Sequence, residues 1–155
     1  MNACCFTGHR LLPDPLSEEY RKLLSALNRA IEKAIGLGCT DFYAGGAVGF
    51  DLLAAEQVLR FKERFPALKL YLCEPYIGHT KSFSAKDRKR YDAVREHAEC
   101  IYMLAPEYSR ACFKARNAYM VENTDCCIAY VRYTKSGSSQ TMRLAQKSGR
   151  KVIRI

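Results

Sequence analysis

The sequence predicts a doubly wound α/β sandwich, in which a mostly parallel sheet of about six strands carries helices on both faces. Short apolar runs alternate with segments of helical periodicity along the whole chain. The runs are continuously apolar, as expected for strands whose two faces are both covered, and most connections are a few residues long. The 155 residues contain no linker or low-complexity stretch, so we predict a single domain over residues 1–155.

Residues around the apolar runs mark the helix boundaries. Ser17 precedes two glutamates and an apolar stripe of helical period, which is typical of a helix N-terminus. Ser84 is a second cap, with Asp87 at the reciprocal position of a capping box, and Pro66 ends the helix before it. The predicted elements are strand 3–6, helix 17–35, strand 41–44, helix 51–64, strand 68–73, helix 84–97, strand 100–104, helix 113–123, strand 126–131, helix 140–147 and strand 151–155.

Bulk properties restrict the functional classes. The formal charge of +9 favours anionic partners, either nucleotides or nucleic acid. The N-terminal residues lack the pattern of a signal peptide and no apolar run reaches the length of a membrane span, so we predict a cytoplasmic protein with no membrane partner. None of the eight cysteines falls in a CxxC pair, which favours reduced core thiols over zinc ligands or disulfides. We predict no metal site and no cofactor.

Residues 45–51 connect the second predicted strand to the second helix through a glycine-rich turn. Gly45, Gly46 and Gly49 can adopt positive φ and allow close approach to the backbone, and a helix N-terminus attracts phosphate. The lysine of a P-loop and the GxGxxG spacing are absent, so ATP hydrolysis and ordinary NAD binding are not predicted. We predict that this turn forms one wall of a site for a phosphorylated, nucleotide-derived molecule, with Asp51 either as the helix N-cap or as a catalytic acid.

Polar or glycine-containing segments follow five of the predicted strands. Ligands of open α/β sheets bind outside the carboxyl ends of the strands, so we expect these segments to meet at one rim. Arg10 and Arg116 are candidates for bidentate contacts to phosphate, and His9 is expected to make a polar contact rather than to act in catalysis. The predicted ligand-binding residues are Thr7, Gly8, His9, Arg10, Gly45, Gly46, Ala47, Gly49, Asp51, Glu74, Arg116, Asn117, Gly137, Ser138, Ser139 and Thr141.

Five motifs occur along the chain in this order: TGHR, GGAVGFDLLAAE, RN with YMVENTD, SGSSQTMRLAQ and KVIRI. Through these motifs the chain resembles the SLOG superfamily, a Rossmann-like group named for the DNA-processing and LOG proteins. The sequence is most similar to its small, single-domain YpsA-like branch. The resemblance implies a Rossmann-like fold that binds nucleotides or nucleotide-derived ligands. The residues that it implies for the pocket come from three loops: Thr7, Gly8 and Arg10, then Gly45, Gly46, Gly49 and Asp51, and then Arg116 and Asn117. The family usually has a Gly-Gly-Thr turn after strand five, where this chain has Gly137-Ser138-Ser139. Enzymatic relatives carry a PGGxGTxxE signature, and this chain lacks its proline and its glutamate.

Three functions stay open from the sequence, and so does the question of whether the protein is an enzyme. The first is a sensor or binding protein for a nucleotide-derived ligand. The second is an N-glycosidase acting on nucleoside monophosphates, with Glu74 or Asp51 as its carboxylate. The third is a single-stranded nucleic-acid binder, for which the stacking candidates are Tyr76, Tyr91, Tyr108 and Tyr133. The alternating last strand, at Val152 and Ile155, is a predicted sheet edge suited to homo-oligomer formation.

Overall fold

Six strands and five α-helices alternate along the chain in the computed structural model, which describes all of residues 1–155. Each predicted strand and helix is present, and a 3-10 turn at His79–Ser82 interrupts the predicted loop before the third helix. The elements are β1 (Ala3–Gly8), α1 (Glu18–Gly36), β2 (Asp41–Ala44), α2 (Phe50–Arg64), β3 (Lys69–Glu74), α3 (Ala85–Glu96), β4 (Cys100–Met103), α4 (Cys112–Glu122), β5 (Cys126–Tyr130), α5 (Gly137–Lys147) and β6 (Lys151–Arg154).

The sheet is entirely parallel and its strand order is β4-β3-β2-β1-β5-β6. The chain moves outward from β1 to β4, then crosses to β5 on the other side of β1. This reversal creates a topological switch point between β1 and β5, where an open α/β sheet forms its crevice. The predicted α/β fold is therefore confirmed, and β6 is an edge strand as predicted. Its role in self-association stays a prediction.

A hydrophobic core lies on each face of the sheet, between the strands and the helices. Helices α1, α2 and α3 pack on one face over Phe6, Phe42 and other large apolar side chains, and α4 and α5 pack on the opposite face over a smaller core. Alternate residues of β1 point to opposite faces, so Cys4 belongs to the first core and Cys5 to the second. All eight cysteines are free thiols and all but Cys100 are buried, as predicted.

Two helix starts differ from the predictions. Helix α5 begins at Gly137 rather than at residue 140, because the Ser136 hydroxyl accepts a hydrogen bond from the Ser139 N–H (3.0 Å) and caps the helix three residues earlier. Helix α2 has Gly49 as its N-cap, so the interpretation of Asp51 as the cap is wrong. Asp51 is instead the second residue of the helix. None of the helices has both the length and the apolar composition that crossing a membrane would require.

Candidate functional site

The main candidate site is a cavity of about 470 Å³ at the switch point, which we call the polar cavity. The loops after β1, β2 and β5 and the first turns of α2, α4 and α5 surround it. Its walls are residues 6–11, Ala47, Asp51, Phe113, Arg116, Asn117, Tyr133 and residues 136–138. Segments that follow β1, β4 and β5 line this cavity, as does Ala47 of the glycine turn, whereas Glu74 after β3 does not.

Arg116 is a buried cation on α4 that faces this cavity, with only 4% of its surface exposed. Its Nε donates a hydrogen bond to Oδ1 of Asn117 (2.7 Å) and its Nη1 donates to the carbonyl of Gly45. Its Nη2 has no hydrogen-bond partner within the protein. Burial lowers the pKa of Arg116 and Asp51 raises it, but an arginine remains charged in proteins. The site therefore holds a buried positive charge with a spare donor.

Asp51 is the one carboxylate among the walls of the polar cavity. Burial raises its pKa, whereas the Arg116 guanidinium and the amides of Ala47 and Gly45 lower it. A Cβ on Gly45 would lie 2.7 Å from Oδ2 of Asp51 and 2.8 Å from Nη1 of Arg116. A side chain at position 45 would therefore displace the carboxylate or the guanidinium, so glycine leaves room for both side chains beside the turn.

The other two glycines of the turn contact protein rather than the cavity. Gly49 has φ +77°, and a Cβ there would lie 2.6 Å from the Cα of Arg10. The neighbouring Phe50 N–H donates to the carbonyl of His9 (3.1 Å), which joins the β1 loop to the start of α2. At Gly46 a Cβ would lie 2.8 Å from the Tyr91 hydroxyl. These glycines therefore allow the loops to pack closely against each other and against α3.

His9 connects three parts of the site. Its Nε2 accepts a hydrogen bond from the Arg132 N–H (2.8 Å), and its Nδ1 pairs with the Ser138 hydroxyl (3.1 Å). The ring also stacks on Tyr133, with centroids 4.1 Å apart. Burial lowers the pKa of His9, which keeps the ring neutral. Because both ring nitrogens have protein partners, His9 positions the start of α5, in agreement with the polar contact expected from the sequence.

The N-terminus of α5 presents unpaired backbone donors to the polar cavity. The Ser136 hydroxyl accepts a hydrogen bond from the Ser139 N–H, while the N–H groups of Gly137 and Ser138 have no protein partner. Unpaired amides and the positive end of the helix dipole favour an anion at this place. Two predicted site residues of α5, Ser139 and Thr141, do not line the cavity. The Thr141 hydroxyl donates to the carbonyl of Gly137 (3.0 Å), and the Ser139 hydroxyl accepts a hydrogen bond from Arg143.

Glu74 lies at the end of β3 but outside the polar cavity. Its carboxylate accepts a hydrogen bond from the Tyr91 hydroxyl (2.5 Å) and two from Arg95, through Nε (3.1 Å) and Nη2 (3.3 Å). Burial and Glu74 both raise the pKa of Tyr91. Tyr91 is 1% exposed, so the interpretation of this residue as a stacking platform is wrong.

A second, narrower cavity of about 150 Å³ adjoins the first, and we call it the aromatic cavity. The two share Arg10, Ala47, Phe113 and Arg116 as common walls. Apart from the shared Arg10, Ala47 and Arg116, the sequence singled out only Tyr76 for a binding role here, and it did not identify Phe83 and Phe113. Its remaining walls are Val48, Pro75, Tyr76, His79, Ser82, Phe83, Ser84 and Asp87.

The predicted site residues separate into two groups. The larger group lines the polar cavity: Thr7, Gly8, His9, Arg10, Ala47, Asp51, Arg116, Asn117, Gly137 and Ser138. The smaller group lines neither cavity: Gly45, Gly46, Gly49, Glu74, Ser139 and Thr141. No three His, Cys, Asp or Glu side chains are grouped so that they could hold a metal ion.

Residues 13–151 match the model of the YspA SLOG family. The chain belongs to this family. It is similar to a UPF0398 protein of Staphylococcus epidermidis, at 33% identity over 85 residues that make up 54% of this chain and 45% of that protein. It is also similar to the UPF0398 protein YpsA of Bacillus subtilis, at 24% identity over 148 residues, or 92% of this chain and 82% of that protein. The chain thus spans less than half the length of the Staphylococcus relative.

Among solved structures, the fold is similar to DNA processing protein A from Helicobacter pylori. The TM-score is 0.69 and the sequence identity is 21%, over 99% of this chain and 64% of that chain. The description of that structure concerns a single-stranded DNA binding mode of the Helicobacter protein. At this identity the likeness establishes the Rossmann-like fold alone.

Proposed function

We propose that this protein is a cytoplasmic binding protein or sensor that holds the phosphate of a nucleotide or nucleotide-derived molecule in the polar cavity. The observation that carries the proposal is the buried Arg116, whose spare Nη2 donor shares this cavity with Arg10 and the unpaired amides of Gly137 and Ser138. Hydrogen bonds from charged donors and helix N-termini to phosphate are among the strongest in proteins. Seven buried free thiols support a reducing compartment.

The size of the polar cavity supports a ligand larger than inorganic phosphate. Its volume of about 470 Å³ lies within the roughly 300–1,000 Å³ of small-molecule pockets. Two positively charged side chains, Arg10 and Arg116, face one carboxylate, Asp51, so the walls carry a net positive charge. A low-dielectric site of this sign favours an anionic ligand.

The bonding of both candidate carboxylates supports binding without turnover. An N-glycosidase needs a carboxylate that is free to act at the anomeric carbon. Asp51 lies near the Arg116 guanidinium and the amides of Ala47 and Gly45, which favour its charged form and oppose its action as an acid, and Glu74 is engaged by Tyr91 and Arg95 outside the cavity. We therefore place binding ahead of N-glycosidase activity.

Isothermal titration calorimetry with AMP and ADP-ribose tests the proposal. We expect saturable binding, and we expect Arg10→Ala to weaken it by about tenfold or more, since a hydrogen bond to a charged group contributes roughly 1.5–3 kcal/mol. Arg21→Ala is the matched control, because Arg21 is an exposed arginine on α1 paired only with Glu18. Chromatography after long incubation should find no free adenine. The proposal fails if neither compound binds, and release of adenine would favour the N-glycosidase instead.

Single-stranded nucleic acid is the second candidate function. Exposed basic residues on the 3-10 turn and α3, namely Lys81, Lys86, Arg88 and Lys89, lie on the segment that forms one wall of the aromatic cavity. The fold similarity to DNA processing protein A also supports this candidate. We expect fluorescence anisotropy with a labelled oligothymidylate to show binding that weakens steeply with salt. No anisotropy change at low salt excludes the candidate.

A further inference from the structure

We propose that the Ser138 hydroxyl donates a hydrogen bond to the phosphate of the ligand, and that His9 is the positioning residue that fixes the direction of this bond. The inference rests on the proposed phosphate site and adds a side-chain donor to the unpaired amides at the start of α5. Both residues line the polar cavity. Their side chains meet, with Nδ1 of His9 3.1 Å from Oγ of Ser138.

The hydrogen bonds of His9 determine which of its ring nitrogens carries the proton. A backbone N–H can only donate, so Nε2, which lies 2.8 Å from the Arg132 nitrogen, is the acceptor and has no hydrogen. Burial and the charge of Arg132 lower the pKa of His9 and keep the ring neutral. The single ring proton is therefore on Nδ1, which donates to the Ser138 hydroxyl rather than accepting from it.

The hydrogen of the Ser138 hydroxyl is consequently left without a good acceptor in the protein. Besides His9, its one hydrogen-bond partner is the Ser136 hydroxyl at 3.3 Å, which is longer than the roughly 2.5–3.0 Å of ordinary O–H···O bonds. Ser138 is 9% exposed, so a ligand in the cavity is the nearest source of a better acceptor. With the unpaired amides of Gly137 and Ser138, the start of α5 presents donors only, and these match the acceptor oxygens of phosphate.

The same proton assignment argues against a nucleophilic serine at this position. A serine nucleophile needs a base within hydrogen-bond reach that can take its proton. Nδ1 of His9 already carries a hydrogen, and Nε2 is occupied by the Arg132 amide. The pair of His9 and Ser138 therefore has the residue types of a catalytic dyad but the hydrogen bonds of a binding site.

A long-range ¹H–¹⁵N NMR spectrum of the histidine rings tests the proton assignment without any ligand. At about pH 8, where histidine rings are neutral, we expect His9 to carry its hydrogen on Nδ1. His79 is an internal contrast, because its Nε2 lies 2.9 Å from the Gly46 carbonyl and carries the hydrogen instead. The spectrum of His9→Asn assigns the signals. A hydrogen on Nε2 of His9 would overturn the inference.

Calorimetry with AMP tests the hydroxyl donor. We expect Ser138→Ala to bind AMP about tenfold more weakly than the wild-type protein or worse, the value of one hydrogen bond to a charged group. Ser139→Ala is the matched control and should keep the wild-type affinity, because Ser139 is the next residue of α5 and lines neither cavity. His9→Leu should also weaken binding. His9→Asn should lose less affinity than His9→Leu, because its side-chain amide can replace the Nδ1 donor.

The outcomes separate this inference from the proposed function. Wild-type affinity in Ser138→Ala, with weakened binding in Arg10→Ala, would overturn the hydroxyl donor while the phosphate site stands. Equal losses in His9→Asn and His9→Leu would overturn the positioning role of His9. If the wild-type protein does not bind AMP, the phosphate site itself is contradicted. Thermal melts confirm that each variant is folded before affinities are compared, and the NMR test on the wild-type protein decides the inference if a variant does not fold.

Discussion

Two buried charged side chains, Glu74 and Arg116, lie near neighbouring strand ends, and they differ in how completely their hydrogen bonds are used. After β3, the Glu74 carboxylate accepts one hydrogen bond from Tyr91 and two from Arg95, and it lines neither of the two cavities. At the switch point, Arg116 donates to Asn117 and Gly45 but keeps Nη2 free beside a cavity of about 470 Å³. The first charged group thus has its hydrogen bonds used within the fold, whereas the second leaves a donor unused beside a cavity. The number of unused donors, rather than the residue type, separates the two roles.

The largest expected effect on binding is that of Arg116→Lys. Lysine keeps the positive charge but lacks the planar fork, so it cannot serve Gly45 and a phosphate together. We expect the affinity for AMP to fall roughly 10- to 100-fold, which corresponds to about 1.5–3 kcal/mol. The free energy of unfolding should fall by only about 1 kcal/mol. Calorimetry and urea denaturation measure the two quantities, and an unchanged affinity would contradict the role of Nη2.

Glu74→Gln should show the opposite pattern. Loss of the charge weakens the bonds from Tyr91 and Arg95, and we expect the free energy of unfolding to fall by about 1–3 kcal/mol. The affinity for AMP should stay within twofold of the wild-type value. Glu63→Gln, an exposed glutamate on α2, is the control for stability. A folded Glu74→Gln protein that has lost AMP binding would show that the comparison between the two clusters is wrong.

Asp51 should make anion binding depend on pH. Because burial raises the pKa of Asp51, acidification towards that pKa neutralises the one carboxylate of the polar cavity. The affinity for sulfate, whose charge is constant over this range, should therefore rise a few-fold as the pH falls. Asp51→Asn should bind sulfate more tightly at pH 7 and lose most of the pH dependence. An equal pH dependence in the variant would assign the effect to another group.

The smallest expected effect concerns the fold around His9. Burial lowers the pKa of His9 from its ordinary value of 6.5, so below that pH the unfolded chain binds more protons than the folded one. The contribution of the neutral His9 ring to the free energy of unfolding is therefore present above pH 6.5 and is lost as the pH falls below that value. In urea denaturation across this pH range, the free energy of unfolding should fall less steeply with decreasing pH for His9→Asn than for the wild-type protein. His97→Asn, on the exposed end of α3, should keep the wild-type slope.

Local sequence patterns predicted the fold and many of the residues that line the polar cavity, because both follow from elements that are contiguous in the chain. The β1 loop, Asp51 and Arg116 were identified since they follow strand ends or begin helices on one rim. Glu74 has the same kind of position, yet its role depends on Tyr91 and Arg95, 17 and 21 residues away. A pattern within a short stretch of sequence does not predict such a network of hydrogen bonds.

The aromatic cavity was beyond sequence reasoning for a similar reason. Phe83 and Phe113 are far apart in the chain, and neither directly follows a predicted strand. Only the packing of α3 and α4 around the end of β3 leaves a space between them. The start of α5 was misplaced because Ser136 caps the helix within a stretch rich in glycine and serine, where several residues are plausible caps.

Backbone NMR during a titration with AMP tests the central claim most directly. If the phosphate binds in the polar cavity, the amide resonances of Gly137 and Ser138 should move the most, with a saturable dependence on AMP concentration. The amide of Arg95, next to the saturated cluster, should not move. Resonances that stay unchanged at Gly137 and Ser138, or shifts confined to basic residues of α3 such as Lys86 and Lys89, would contradict the account.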